Sequence, residues 1–180
     1  TIMCLDNLFV KSAQVYPSAK IGPGCLIAGM PDSKGVKPLP GVSVIIESGA
    51  ILTKNVVVDA GTVRPTTVGA RCFLSSFSYV AHDAILMHDV VLSPGAHVLG
   101  HCTIWPYAVL GDNAVIHQQH ELAPGAMLAM GCVLPKSVQT EPFTIYIGNG
   151  QRLRQNTKLL NELPEAEIER MYDLWGNRNK

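Results

Sequence analysis

The 180-residue sequence predicts an all-β solenoid, a parallel coil of six-residue repeats that ends in a short helical tail. Three observations carry that prediction. An aliphatic residue returns at every sixth place without a break: Val68, Leu74, Val80, Leu86, Leu92, Val98, Ile104, Leu110, Ile116, Leu122, Leu128 and Leu134. Two places before each stands a small residue, Ala, Cys, Ser or Thr in ten of the twelve repeats, with Val90 and His120 the exceptions. Composition agrees: 16 Gly and 12 Pro supply turns, and with only 6% aromatic residues the core must be aliphatic.

One aliphatic and one small position per hexapeptide resembles the hexapeptide repeat of left-handed parallel β-helices. There, three repeats close one triangular coil of 18 residues, each giving a short strand on one flat face. The left hand is implied by that resemblance; period six does not fix it. The coil opens with Phe9, Val15, Ile21 and Ile27, with Ala13, Ala19 and Cys25 in the small place, and resumes at Ile46, Leu52 and Val58. The interruptions, at about 28–43 and 61–67, are expected to be loops, and Gly29, Pro31, Gly35, Pro38, Pro40 and Gly41 give the first its turn chemistry. The β-helix is expected over residues 1–140, followed by a partly helical extension over 141–180. In that extension Ile168, Met171, Tyr172 and Trp175 recur at helical spacing after Pro164, an apolar stripe that needs a partner and suggests a cap or a subunit contact. Residues 150–161 are a second helical candidate.

The 14 basic and 14 acidic residues cancel, which argues against a nucleic-acid or membrane-surface protein, since both need a basic face. No apolar run approaches the roughly 18–20 residues of a membrane span, and no basic-then-apolar leader is recognisable, so a soluble cytoplasmic protein is expected. Cys25, Cys72, Cys102 and Cys132 all occupy the small interior place and no C-x-x-C is present, so they are expected to be buried thiols rather than disulfides or zinc ligands.

All six histidines fall between residues 82 and 120. His82, His101 and His117 are 19 and 16 residues apart, close to one coil, so they are expected on one edge of the prism on successive coils roughly 4.8 Å apart. His88 and His97 are expected to be solvated, and His120, in an interior place, packed and hydrogen-bonded. Such a column suits a general base near neutral pH, or a three-histidine zinc site with an open water position. The gamma-class carbonic anhydrases, the β-helical zinc enzymes, pair histidines five apart; the close pairs here are three, four and six apart, so that motif is absent, no metal ligands are assigned and a zinc enzyme of that kind is a minor alternative.

The strings around these histidines go further. Val80-Ala81-His82-Asp83, Leu99-Gly100-His101 and Val115-Ile116-His117-Gln118 resemble, in order and interval, the UDP-N-acetylglucosamine acyltransferase family of lipid A synthesis. Pro31-Asp32-Ser33-Lys34 resembles that family's substrate loop, Gly61-Thr62 its early G-T pair, and Pro142-Phe143 with Gly148-Asn149 its exit from the coil. The similarity covers about residues 10–156. It implies a homotrimer with sites in the clefts between subunits, an acyl-carrier-protein or coenzyme A thioester as donor, a nucleotide sugar as acceptor, and no bound cofactor. It implies that His82 is the general base, Asp83 its support and the Gly100 N–H an oxyanion donor; because adjacent strand residues point to opposite faces, the His82–Asp83 contact is expected to be indirect. Asp32, Lys34, His101, His117 and Gln118 would bind substrates, Met130 would shorten the acyl groove, and Asn149 and Arg152 would touch the acceptor or carrier. Two departures are visible. Tyr79 stands where the family has a second histidine, and the tail lacks a G-L-x-R-x-G string; Arg152, Arg154 and Lys158 are candidate replacements. These departures leave open an acetyl-coenzyme A-dependent sugar acetyltransferase and, in another class, a non-catalytic scaffold.

Overall fold

The structure, a computed structural model, describes residues 8–9 and 12–178. It is a left-handed parallel β-helix with three flat faces, a seven-stranded, a six-stranded and an eight-stranded sheet, here called the first, second and third faces. Strands of two to four residues recur on each face at an 18-residue interval: Tyr79 lies opposite His97, which lies opposite Val115. With so short a strand, one residue points in and its neighbour out. All twelve aliphatics from Val68 to Leu134 are fully buried, and burial of each contributes about 1.5–3 kcal/mol. The small places are buried too, including Cys72 and Cys102, whose thiols burial pushes up to about 12 and about 11, which makes them inert.

The first interruption is a loop between the strands Leu26–Gly29 and Val44–Ile46; the second is shorter than expected, because Thr66–Val68 is already a strand paired with Val44–Ile46. The expected repeat residue Phe9 lies on a strand paired with Leu26–Gly29.

The end of the coil departs from the helical expectation for 150–161. Thr144–Ile147 extends the third face in parallel, and Gln151–Gln155 then turns back antiparallel along it. Only at Thr157 does helix α1, Thr157–Glu162, begin, with the Asn156 side chain accepting from the Leu159 N–H and donating to the Gly125 carbonyl. Helix α2, Glu165–Asn177, follows, with Glu165 and Glu167 in its first turn. Its stripe finds its partner on the coil: Met171 is fully buried, Trp175 packs edge-on against Trp105 at 5.4 Å, and Tyr172 lies against Phe143. Among the described residues no helix is long and apolar enough to cross a membrane.

Candidate active site

Each edge of the prism is turned by a short corner whose third residue adopts left-handed backbone. Asp83, Asp89, His101, Tyr107, Asn113 and Gln119 do so with φ between 54° and 62°, and Gly95, Gly125 and Gly131 continue the series. For L-residues this conformation costs roughly 1–2 kcal/mol, least for Asp and Asn. On the edge between the first and second faces three corners stack: Ala81-His82-Asp83, Leu99-Gly100-His101 and His117-Gln118-Gln119.

His82 and Asp83 therefore stand on a corner rather than along a strand, and their side chains are not sent to opposite faces. Nδ1 of His82 lies 2.8 Å from Oδ2 of Asp83, a direct contact that corrects the expected indirect one. The loop after Gly61 wraps the same carboxylate. Backbone N–H groups of Thr62, Val63 and Arg64 donate to Oδ1 at 2.8, 2.9 and 3.0 Å, and the Thr62 hydroxyl donates to Oδ2 at 2.6 Å. Thr66 Oγ1 accepts from the Asp83 N–H, and Arg64 Nε donates to its carbonyl. Burial opposes ionisation of Asp83, but donors from Thr62, His82, Val63 and Arg64 outweigh it and hold the carboxyl well below the usual carboxylate range. A fixed anion at Nδ1 keeps the proton there, leaving Nε2 of His82 as the proton acceptor.

His101 stacks edge-on to His82, ring centroids 5.0 Å apart, with Nε2 3.8 Å from Asp83 Oδ2. His82, Asp83 and His101 are close enough to suggest a metal site. The donor set does not fit one: both Asp83 oxygens are already occupied by five donors, and a cation would have to displace them.

A cavity of about 240 Å³ opens beside His82, lined by Asp32, Ser33, Tyr79, Gly100 and Gln118 among others. Gly100 has a steric reason to be glycine, since a Cβ there would sit 3.0 Å from Cε1 and Nε2 of His82. Its N–H has no acceptor among the described residues. Behind the cavity wall the Tyr79 hydroxyl donates to Asp59 Oδ2 at 2.6 Å, and the Asp32 N–H reaches the same oxygen. Burial raises the Asp59 carboxyl, and burial together with Asp59 raises the Tyr79 phenol.

Of the residues singled out in sequence, His82, Asp83, Gly100, Asp32, Tyr79 and Gln118 come together, with His101 alongside. The others do not meet them within the chain. His117 shares the edge but is exposed, its Nδ1 against the carbonyl of Gln118. Lys34 and Asn149 are exposed and line no part of this cavity. Met130 is 76% exposed on the edge between the third and first faces, and Arg152 pairs with Glu141 at the end of the coil. Of the two histidines expected to be solvated, His97 is exposed, its ring edge-on to Tyr79, whereas His88 is half-buried against Asp89. His120 is packed as expected, with Nε2 2.7 Å from the Val138 carbonyl. Asp59 and the Val63–Arg64 backbone escaped the sequence reading; a lone acid ending the apolar strand Val57–Asp59 was the available signal.

Comparisons with known proteins bear on the fold rather than on individual site residues. No family model matches. The chain is 27% identical over 159 residues to the acyl-(acyl-carrier-protein)–UDP-N-acetylglucosamine O-acyltransferase of Campylobacter concisus, covering 83% of this chain and 60% of that protein. It thus spans less than two thirds of the length of that curated relative. The UDP-N-acetylglucosamine acyltransferase of Francisella novicida superposes with a TM-score of 0.73 at 18% identity, over 94% of this chain and 76% of that one. That of Bacteroides fragilis gives 0.72 at 22% identity, over 94% and 70%. In sequence the chain is similar to the UDP-N-acetylglucosamine O-acyltransferases, and in fold it is similar to their solved structures.

Proposed function

We propose that the chain transfers an acyl group from a thioester, carried by acyl carrier protein or coenzyme A, to a hydroxyl or amine of a nucleotide sugar, as in lipid A synthesis. The observation that carries this reading is the His82–Asp83 pair, with its carboxylate buried and ionised and Gly100 directly over the ring. His82 Nε2 takes the proton from the acceptor as its oxygen or nitrogen attacks the thioester carbon. The resulting oxyanion is met by the Gly100 N–H. Collapse breaks the C–S bond, and the imidazolium returns its proton to the departing thiolate. Asp32, Tyr79 and Gln118 shape the acceptor side, and His101 flanks the donor.

A cavity of about 240 Å³ is too small for both substrates. In this reading a second copy supplies the other wall of each cleft in a homotrimer, and Lys34, His117, Met130, Asn149 and Arg152 act across such boundaries. A neighbour's Met130 would then favour short or medium acyl chains. The test is a screen of acyl-carrier-protein and coenzyme A thioesters against a panel of nucleotide sugars. Transfer that disappears in His82→Ala supports the reading, and the productive donor separates a carrier-protein enzyme from an acetyl-coenzyme A-dependent one. Absence of transfer from every thioester, or full transfer by His82→Ala, overturns it.

A further inference from the structure

A second and larger cavity, about 440 Å³, lies across the His82–His101 edge from the first, on the side of the second face. Arg64, His101, Thr103, Gln119 and Glu121 line it. Its charge differs in kind from that of the first cavity, which has a carboxylate, Asp32, and neither Lys nor Arg in its lining.

Arg64 is the one guanidinium in the lining of this cavity. Its Nε donates to the Asp83 carbonyl at 2.8 Å, which fixes the guanidinium plane, and the group makes no ion pair among the described residues. The Nη groups are left as a preset fork of donors beside the cavity. The acid in the lining is already neutralised: Glu121 pairs at 3.3 Å with Arg178, itself held over the Trp175 ring. A further cation stands at the rim, where Lys136 donates to Gln119 Oε1 at 3.0 Å. A fixed guanidinium without a carboxylate, ringed by a hydroxyl, an amide and an imidazole, matches the geometry and charge of a phosphoryl group.

We propose that this cavity is a phosphoryl-binding subsite, with Arg64 as its anchor, that holds a phosphorylated part of one substrate while the reacting group lies at His82. The inference rests on the acyl-transfer reading only for the identity of that substrate, either the pyrophosphate of a nucleotide sugar or the phosphate of a pantetheine arm. Because the Arg64 N–H and Nε also hold Asp83, an occupied subsite would brace the carboxylate that orients the base.

Calorimetric titration of the full chain with inorganic pyrophosphate tests the site without any need for turnover. The wild type should bind saturably, Arg64→Gln about tenfold or more weakly, and Arg64→Lys in between, since a lysine keeps the charge and loses the fork. Each variant is to be compared at an unchanged melting temperature. Unaltered binding by folded Arg64→Gln, or no saturable binding by the wild type, overturns the proposal. Repeating the titration with UDP and with 4′-phosphopantetheine separates the sources, the true one being the ligand whose affinity depends on Arg64. Arg64-dependent pyrophosphate binding in a chain that transfers no acyl group would support the subsite and refute the acyl-transfer reading.

Discussion

Two corners of this coil carry the same dipeptide in the same conformation. His82-Asp83 and His88-Asp89 each place Nδ1 2.8 Å from Oδ2, with the aspartate at φ 62° and 60°. What surrounds them differs. Asp83 is fully buried in a ring of N–H donors, whereas Asp89 is 23% exposed and shares its charge with Arg71. One coil above His82 stands Gly100, with room over the ring and an N–H to offer; one coil above His88 stands Pro106, which has neither. Nε2 of His82 borders a cavity, while Nε2 of His88 faces Arg170 of α2, 3.5 Å away, in a cluster with Glu167 and Tyr107 that docks the helix. A His–Asp contact is therefore something this corner makes readily. What sets His82 apart is the buried anion behind the ring and the open coil above it, and the proposed base function rests on both.

The comparison can be broken most directly by removing each ring. His82→Ala should lower transfer by about 10²–10⁴-fold, whereas His88→Ala should change it less than about twofold and cost some thermal stability through α2. A similar loss from both would erase the distinction. Next in size is Asp83→Asn, which swaps an acceptor for a donor at Nδ1 and should cost about 10²-fold or more, with Asp89→Asn nearly silent in the same assay. This pair also carries a pH signature. The carboxyl of Asp83 is depressed, so its stabilisation is full above the ordinary value of 3.8 and is lost as the pH falls below it. The difference in melting temperature between the wild type and Asp83→Asn should therefore shrink steadily in acid. Gly100→Ala comes third. A methyl 3.0 Å from the His82 ring must displace it, and a loss of about tenfold in kcat with a smaller change in KM is expected from steady-state kinetics. The smallest effect sharpens the account of the ring of donors: Thr62→Val should lower kcat about three- to tenfold and shift the pH profile, and Thr62→Ser should restore both.

The coil was legible in sequence because each hexapeptide sends one aliphatic inward, so period six survives in the plain order of residues. Gly100 and Gln118 were legible only through the family resemblance, although they stand 18 and 36 residues after His82, one and two coils on. His117 shows where spacing stops: sixteen residues from His101 puts it at the first place of its corner, and its ring turns outward to solvent. The direct His82–Asp83 contact was hidden by a rule for strands that does not hold in left-handed corner backbone. Backbone donors from Thr62, Val63 and Arg64 were hidden for a different reason. An N–H carries no residue identity, and only the fold brings that loop around a carboxylate about twenty residues away. The Gln151–Gln155 hairpin was missed because a wholly exposed strand shows no alternation of polar and apolar residues.

The proposed base depends on one proton: Asp83 must hold it on Nδ1 of His82 and leave Nε2 bare. Nitrogen-15 NMR of the imidazoles at about pH 9, where histidines are neutral, reads this without any substrate. The prediction is a protonated Nδ1 and an unprotonated Nε2 for His82. A proton on Nε2 would contradict the role assigned to Asp83 and with it the proposed base.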